Sequence, residues 1–447
     1  MAQGALPGFR DFYPAEFAQR AYIARIWRDV ARRYAFVEYD GPPLEALDLY
    51  TKKSGDEIVG QLYNFTDKGN REVALRPEMT PTLARMVAAK ANALRKPVRW
   101  FSLPQLFRYE RQQKGRLREH FQLNVDIVGE ADVTADAELL AVAIDIMREF
   151  GLSPEDVRAR VSDRRLLRAL LERLGVGEEQ LPSVFGVIDK IERQPRELSS
   201  EKLAALGMSN ESREALFAMM EGVTLDALRA QYGDTPSIAE RIADLERYYT
   251  YLQGLGVAEY IQLDLSIVRG LAYYTGIVFE LFDARGEFRA ICGGGRYDNL
   301  LNALGGVDLP ALGFGMGDVV LGELLKSRGL NAPTGEPDFW VAAADDGDFR
   351  DVIVASTKLR REGASVEYAL RPQTLSKQRK AASSAGATYF VTVAADFSRS
   401  GTVEVDEVQH VDGVGASLVD RLAPMPKTLE SVISLVRDSK SLIGTTI

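Results

Sequence analysis

The sequence predicts an α+β protein of several domains, and three observations carry that reading. A strand, a basic loop and a return strand run from Phe107 to Ile127; helical periodicity fills about residues 165–250; and beyond a linker rich in glycine and proline the chain alternates strands with helices. With 447 residues, 46% of them apolar, there is enough material for two or three cores. No uninterrupted apolar run is long enough to span a bilayer. The opening MAQGALPGFRDFYP lacks a basic segment followed by an apolar stretch, so the expectation is a soluble, cytoplasmic protein with no membrane partner.

Taken in order, Glu16 to Arg33 has apolar residues at helical spacing, and Tyr34 to Tyr39 reads as a strand closing at Gly41-Pro42-Pro43. Residues 76–95 read as a helix entered through Pro77, and a strand leads from Val98 to Glu110. On the return strand, Phe121, Leu123, Val125 and Ile127 fall on one face and Gln122, Asn124 and Asp126 on the other, so one face packs and the other meets a ligand. A helix covers 134–150, and Ser162-Asp163-Arg164-Arg165 is a helix start. Strand character returns at 260–265, 276–282 and 288–292, after which Gly293-Gly294-Gly295 opens into a helix at 297–304. Leu325 to Pro337 is a linker by composition. Strands at 338–344, 365–369, 388–394 and 402–408, with helices at 348–362 and 373–385, make a small α/β domain, and one more helix follows Pro426. The predicted boundaries are therefore a split core at 1–164 and 251–326, an inserted helical module at 165–250, a linker at 327–337, the α/β domain at 338–425 and a tail at 426–447.

The net charge of −9 argues against general adhesion to nucleic acid, so such a partner requires local basic patches. Two exist: the loop with Arg111, Lys114, Arg116 and Arg118, and the run containing Arg360, Arg361, Arg371, Lys377, Arg379 and Lys380. Cys292 is the only cysteine, which excludes an intramolecular disulfide, and with His120 and His410 alone beside it no Cys/His zinc cluster forms. Cys292 reads as a small residue packed in a strand. A catalytic metal would sit on carboxylates and phosphate oxygens, which suits magnesium.

The stretch FRYERQQKGRLREHFQLNVD, Phe107 to Asp126, closely resembles motif 2 of class II aminoacyl-tRNA synthetases, specifically the histidyl-tRNA synthetases. Arg269-Gly270-Leu271-Ala272-Tyr273-Tyr274 resembles that family's histidine signature, and the likeness extends to Leu75–Thr80, Gly293–Asp298 and the C-terminal part. The resemblance implies an antiparallel core sheet flanked by helices, a homodimer built on the first helix and strand, and ligation of histidine to tRNA(His) with ATP and Mg2+. It also implies site residues: Arg108 and Arg269 at the α-phosphate, Arg116 at the terminal phosphates and Glu110 near adenine. Glu78, Thr80, Gln122, Asp126, Arg269, Tyr273, Tyr274 and Tyr297 would form the histidine pocket. Gln112, Gln113 and Arg118 would lie at the tRNA acceptor end, and the α/β domain would bind the anticodon.

Read without the family, a strand arginine such as Arg108 pairs with a neighbouring carboxylate, here Glu110, paired tyrosines are core material, and a glycine run is a tight turn. The alternating Gly313, Gly315 and Gly317 suit a helix packed under a nucleotide. The chain departs from the family pattern at Gln112, His120-Phe121, Ala272 and Val320, the last standing where the motif 3 arginine belongs. That substitution keeps a second function open, a non-catalytic, histidine-sensing regulatory subunit of ATP phosphoribosyltransferase.

Overall fold

The computed structural model describes residues 4–51, 60–110, 115–269, 273–332, 335–345, 347–408, 421 and 427–443. Two compact units divide the chain, Met1–Pro333 and Thr334–Ile447.

In the first unit the strands are β1 (Val37–Glu38), β2 (Leu44–Ala46), β3 (Tyr63–Thr66), β4 (Glu72–Leu75), β5 (Val98–Ser102), β6 (Gln105–Phe107), β7 (Glu119–Val128), β8 (Val157–Asp163), β9 (Ile261–Leu263), β10 (Ile277–Asp283), β11 (Cys292–Arg296) and β12 (Ala311–Gly317). The main sheet runs β1-β5-β7-β12-β11-β10-β8-β9, with β6 also on β7, and β2-β4-β3 form a small sheet. The main sheet is antiparallel except at its two edges, where short β1 and β9 pair parallel with β5 and β8. Edges of two and three residues offer little free backbone to a foreign strand.

The two faces of the central strands follow from their period of two. Leu123, Val125, Ile127, Val161, Phe279, Leu281, Leu312 and Met316 pack into one core with the helices Pro14–Arg33, Val133–Glu149, Pro236–Gly254 and Asp318–Ser327. Trp27 of the first helix donates its indole N–H to Met316 Sδ at 3.2 Å. On the opposite face the Thr80–Lys90 and Leu300–Gly305 helices cover only part of the sheet, through Leu83, Val87, Leu300 and Leu301. The uncovered remainder carries the polar residues.

Between β8 and β9 the chain is helical from Arg164 to Gly254, apart from turns and a short 3-10 stretch. Asp163 caps the first of these helices, accepting from the amides of Arg165 and Leu166. The helices at Leu181–Ile188, Arg196–Ala205 and Asn210–Met220 gather a core of their own around Leu167, Leu171, Val184, Leu203 and Leu216.

The second unit has strands β13 (Phe339–Ala343), β14 (Val366–Glu367), β15 (Tyr389–Val393) and β16 (Val403–Glu407) in the order β14-β13-β15-β16. The first three run parallel and β16 is antiparallel to β15. Phe339, Val341 and Val391 pack against the Phe349–Arg361 and Leu429–Ile443 helices, while Trp340, Ala342 and Phe390 face the Leu375–Ser384 helix. Lys377 and Lys380 on that last helix are exposed. Arg379 instead pairs with Asp406 at 2.6 Å, and Arg360 donates to the Val366 carbonyl at 2.6 Å, so two cations of the basic run are used inside the unit.

Several elements differ from the sequence reading. The Gly293-Gly294-Gly295 run is no turn: it is the buried middle of β11, hydrogen-bonded on both sides. A Cβ at Gly294 would lie 2.4 Å from that of Phe314, so glycine here serves close strand approach. Gly313, Gly315 and Gly317 belong to strand β12 and not to a helix, and their spacing of two already says so. The strand expected over 34–39 shrinks to β1, and the supposed linker from Leu325 begins inside a helix that continues to Ser327.

One buried ion pair ties the core helix to the sheet. Arg296 of β11 meets Asp136 of the Val133–Glu149 helix with side chains 3% and 5% exposed, and it also donates to the Glu130 carbonyl at 2.9 Å. Replacing Arg296 with Met leaves Asp136 buried without its partner, which typically costs about 3–5 kcal/mol. Denaturant unfolding measures it, and a loss below about 1 kcal/mol would show that the carboxylate finds water instead.

Candidate active site

The uncovered face of the central sheet is the floor of the site. Gln122, Asn124 and Asp126 rise from β7, Glu280 from β10, and the neighbouring positions on β11 and β12 are glycine. Each glycine clears room for one side chain. A Cβ at Gly313 would stand 2.0 Å from Asp126 Oδ1, one at Gly315 2.8 Å from Gln122 Cδ, and one at Gly293 1.9 Å from Arg269 Nη1.

Two adjoining cavities result. The smaller, about 80 Å³, is lined by Glu78, Thr80, Gln122, Asn124, Asp126, Tyr273, Tyr274 and Tyr297 among others. The larger, about 300 Å³, is lined by Glu110, Arg116, His120, Cys292, Gly317 and Val320. Arg108, Gln122, Arg269, Gly293 and Gly315 belong to both, so two arginines stand where the spaces meet.

Arg108 donates from Nε to the Pro77 carbonyl at 2.9 Å, and its Nη1 lies 3.9 Å from Glu110. Glu110 pairs more closely with Arg116, at 2.7 Å. Arg269 is ion-paired to Glu280 at 2.5 Å and lies over the Tyr274 ring. Burial opposes its charge, but Tyr274 and Glu280 outweigh that and raise its pKa, so it remains a guanidinium. Its backbone has φ of 55°, a left-handed conformation that costs a residue with a Cβ about 1–3 kcal/mol. The surrounding contacts must therefore hold it there.

In the smaller cavity the three tyrosine rings pack on one another, with centroids 5.0 Å apart for Tyr273–Tyr274 and 5.9 Å for Tyr273–Tyr297. The Tyr297 hydroxyl donates to Asp126. Burial pushes the Asp126 carboxyl up to about 7, the tyrosine bond offsetting only part of the effect. In the larger cavity His120 is held down to about 3 by burial, then by Arg108 and Arg10, and so lines the wall as a neutral ring. The Cys292 thiol is buried and its pKa raised by burial, in keeping with a packed residue.

Of the residues singled out in the sequence, Glu78, Thr80, Arg108, Glu110, Arg116, Gln122, Asp126, Arg269, Tyr273, Tyr274 and Tyr297 line these two cavities. Arg118 does not: its guanidinium lies 4.1 Å over the Tyr109 ring, and its amide donates to the Gly8 carbonyl. Gln112 and Gln113, with Gly270 to Ala272, lie outside the described residues. Asn124, which the alternation puts on the ligand side of β7 without a named role, lines the smaller cavity as well. Sequence reasoning missed Glu280, which bears on the site through its ion pair with Arg269 and which nothing local marks.

Asp126 carries a testable consequence. Its folded pKa of about 7 lies above the unfolded value of about 3.9, so its contribution to stability is full below pH 4 and is lost as the pH rises through 7. Asp126→Asn lacks that titration. The variant should therefore gain stability relative to the parent between pH 4 and 7, as read by unfolding at fixed temperature. A difference that stays constant across this range would refute the raised value.

The profile of the family described as Histidyl-tRNA synthetase matches residues 8–317. A histidine–tRNA ligase of Opitutus terrae is 44% identical over 388 residues, covering 86% of this chain and 89% of its own. The chloroplastic/mitochondrial histidine–tRNA ligase of Arabidopsis thaliana is 42% identical, covering 89% of this chain and 82% of its own. The crystal structure of histidyl-tRNA synthetase from Nostoc sp. PCC 7120 superposes with a TM-score of 0.81 over 92% of this chain and 95% of that one; at 24% identity it speaks for the fold. The profile covers well over half of the chain and carries the motif residues that line both cavities, and the Opitutus relative is matched along most of its length: this chain belongs to the histidyl-tRNA synthetase family.

Proposed function

We infer that the chain is a histidine–tRNA ligase that joins histidine to ATP as histidyl-adenylate and then passes the histidyl group to the 3′ end of tRNA(His). The observation that carries this is the pair of adjoining cavities sharing Arg108 and Arg269. Histidine fits the smaller one. Glu78 supplies an anion for the α-amino group, and Asp126 with Tyr297 supplies partners for the imidazole between aromatic walls. ATP fits the larger one, with Arg116 toward the terminal phosphates and Glu110 beside adenine.

The reaction is attack of the histidine carboxylate on the α-phosphate, with pyrophosphate leaving. Arg108 and Arg269 at the junction neutralise the charge that develops there, and both are already fixed by bonds to Pro77 and Glu280. Val320 lines the cleft without a charge, so Arg108, Arg116 and Arg269 are the cations available among its described lining residues. No group of three or more metal-ligating side chains gathers among the described residues, and Glu110 is the one carboxylate on the cleft wall. Magnesium would be held by the phosphate oxygens of ATP with Glu110 as the nearest carboxylate, and would supply charge neutralisation at the phosphates.

Gln112, Gln113 and Arg118 are assigned to the acceptor end of the tRNA by motif position, and the second unit to its anticodon, a role that exposed Lys377 and Lys380 support. A homodimer built on the first helix and strand is supported by the large apolar side chains exposed along this part of the chain: Tyr13 and Phe17 at the start of the helix, Val37 on β1 and Leu44 on β2. A cytoplasmic location is part of this proposal. Among the described residues no helix is long and apolar enough to cross a membrane.

ATP–pyrophosphate exchange tests the reading across all amino acids: histidine alone should support strong exchange. Arg269→Ala should lower the exchange rate by about a hundredfold, the usual ~3 kcal/mol for one preorganised donor, and should affect histidine binding far less. Binding of histidine without exchange by the unmodified protein would favour the regulatory alternative instead.

Removal of the second unit should separate the two half-reactions. The activation residues precede residue 330, so the truncated protein should retain exchange while charging tRNA poorly, and its tRNA binding should depend less steeply on salt. Full charging by the truncated protein would remove the anticodon assignment.

A further inference from the structure

The Ser162-Asp163-Arg164-Arg165 junction, where β8 turns into the Arg164–Arg173 helix, lies outside both cavities described above yet grips the segment that carries Arg269. Ser162 and Asp163 are fully buried, and Asp163 accepts the Arg165 amide at 2.6 Å, so the first helical turn is firmly seated. From this anchor one residue reaches both ends of the segment 268–276. The Arg164 amide donates to the Gly276 carbonyl at 3.1 Å. Its Nη1 donates to the carbonyl of Val268 and to that of Arg269, the latter at 3.2 Å. Those two carbonyls flank the left-handed residue itself. The Arg164 guanidinium also lies 4.7 Å over the ring of Phe185, on the Leu181–Ile188 helix. A third cavity, about 470 Å³, opens beside these groups and is lined by Arg164, Phe185, Val268 and Arg269 among others.

Resting on the assignment of Arg269 to adenylate formation, we propose that Arg164 is a positioning residue: it staples both ends of the 268–276 segment, holds the left-handed backbone of Arg269 in place, and is itself seated by Phe185 of the helical region. A guanidinium suits this task, because its plane fixes the directions of the two Nη1 hydrogens toward the two carbonyls while its face rests on Phe185, whereas an ammonium turns freely. The helical region thereby contributes to the alignment of Arg269 from outside the two cavities. Arg165, one residue on, turns back to Asp163 at 2.8 Å and serves as the control for local damage.

The test is a double-mutant cycle on the full chain, read by pyrophosphate exchange. Arg164→Ala should lower kcat by about tenfold to a hundredfold, as a small misplacement of a charged group does, with the histidine KM changing less than about threefold. Arg164→Lys should recover part of the loss, and Phe185→Leu should lose activity in the same direction but less. In the Arg269→Ala background Arg164→Ala should cost less than about a further twofold, because the two act as one unit. Arg165→Ala should lower the melting temperature without the selective fall in kcat. Full additivity with Arg269→Ala, or kcat near that of the parent for Arg164→Ala, overturns the staple while leaving the Arg269 assignment intact. Exchange near the parent level for Arg269→Ala overturns that assignment and the proposal with it. Should Arg164→Ala not fold, Arg164→Lys takes its place in the cycle, and the same non-additivity supports the proposal or its absence overturns it.

Discussion

Three polar side chains at the centre of this site stand in space that a neighbouring strand vacates by carrying glycine. Strands lie about 4.8 Å apart, so side chains on one face ordinarily fill one another's surroundings. Here Asp126 lies beside Gly313, Gln122 beside Gly315, and Arg269 reaches over Gly293. A glycine inside a strand typically sacrifices ~0.5–1 kcal/mol of stability relative to alanine. The opposite face offsets this: Leu312, Phe314 and Met316 of β12, with Phe279 of β10, are buried against the core helices. One sheet thus does two jobs without conflict, because its two faces are chemically independent.

A consequence of that division is that charge concentrates on one side of a dry sheet and must be balanced locally. Arg269 leans on Glu280 and Arg116 on Glu110. Arg10 donates to both Glu119 and Asp318 at the end of β7, while Asp318 accepts the Phe121 amide. These carboxylates hold the cations in fixed directions, which in the proposed reaction is the condition for electrostatic assistance without reorganisation. Asp126 differs, since no cation appears among the groups acting on it, and burial alone moves its titration toward neutrality.

Much of this was legible in the sequence where the signal is local. The alternation from Phe121 to Ile127 separated the packed side of β7 from the side that faces the cavities, and the basic segment contributed Arg116 to the wall of the larger one. Glycine was harder to read. The same residue type serves a tight turn, a nucleotide-binding loop and a close strand crossing, and only distant partners decide among them; Gly294 is fixed by Phe314, and Gly293 by Arg269. Pairings such as Tyr297 with Asp126, 171 residues apart, or Arg164 with Arg269, 105 apart, leave no periodic trace. Motif likeness supplied the residues of the site, while the register of β7, β11 and β12 supplied their neighbours.

The left-handed backbone at Arg269 also shapes the mutational landscape of the enzyme. Glycine relieves the backbone most, asparagine and aspartate less, and each of them discards the guanidinium. Lysine retains a charge but keeps the strain and loses the fork that meets Glu280. Every single step away from arginine therefore sacrifices either geometry or charge, and no neutral path leads out of this position. Drift in the chain must be absorbed around Arg269, in the residues that hold it, before it can reach the residue itself.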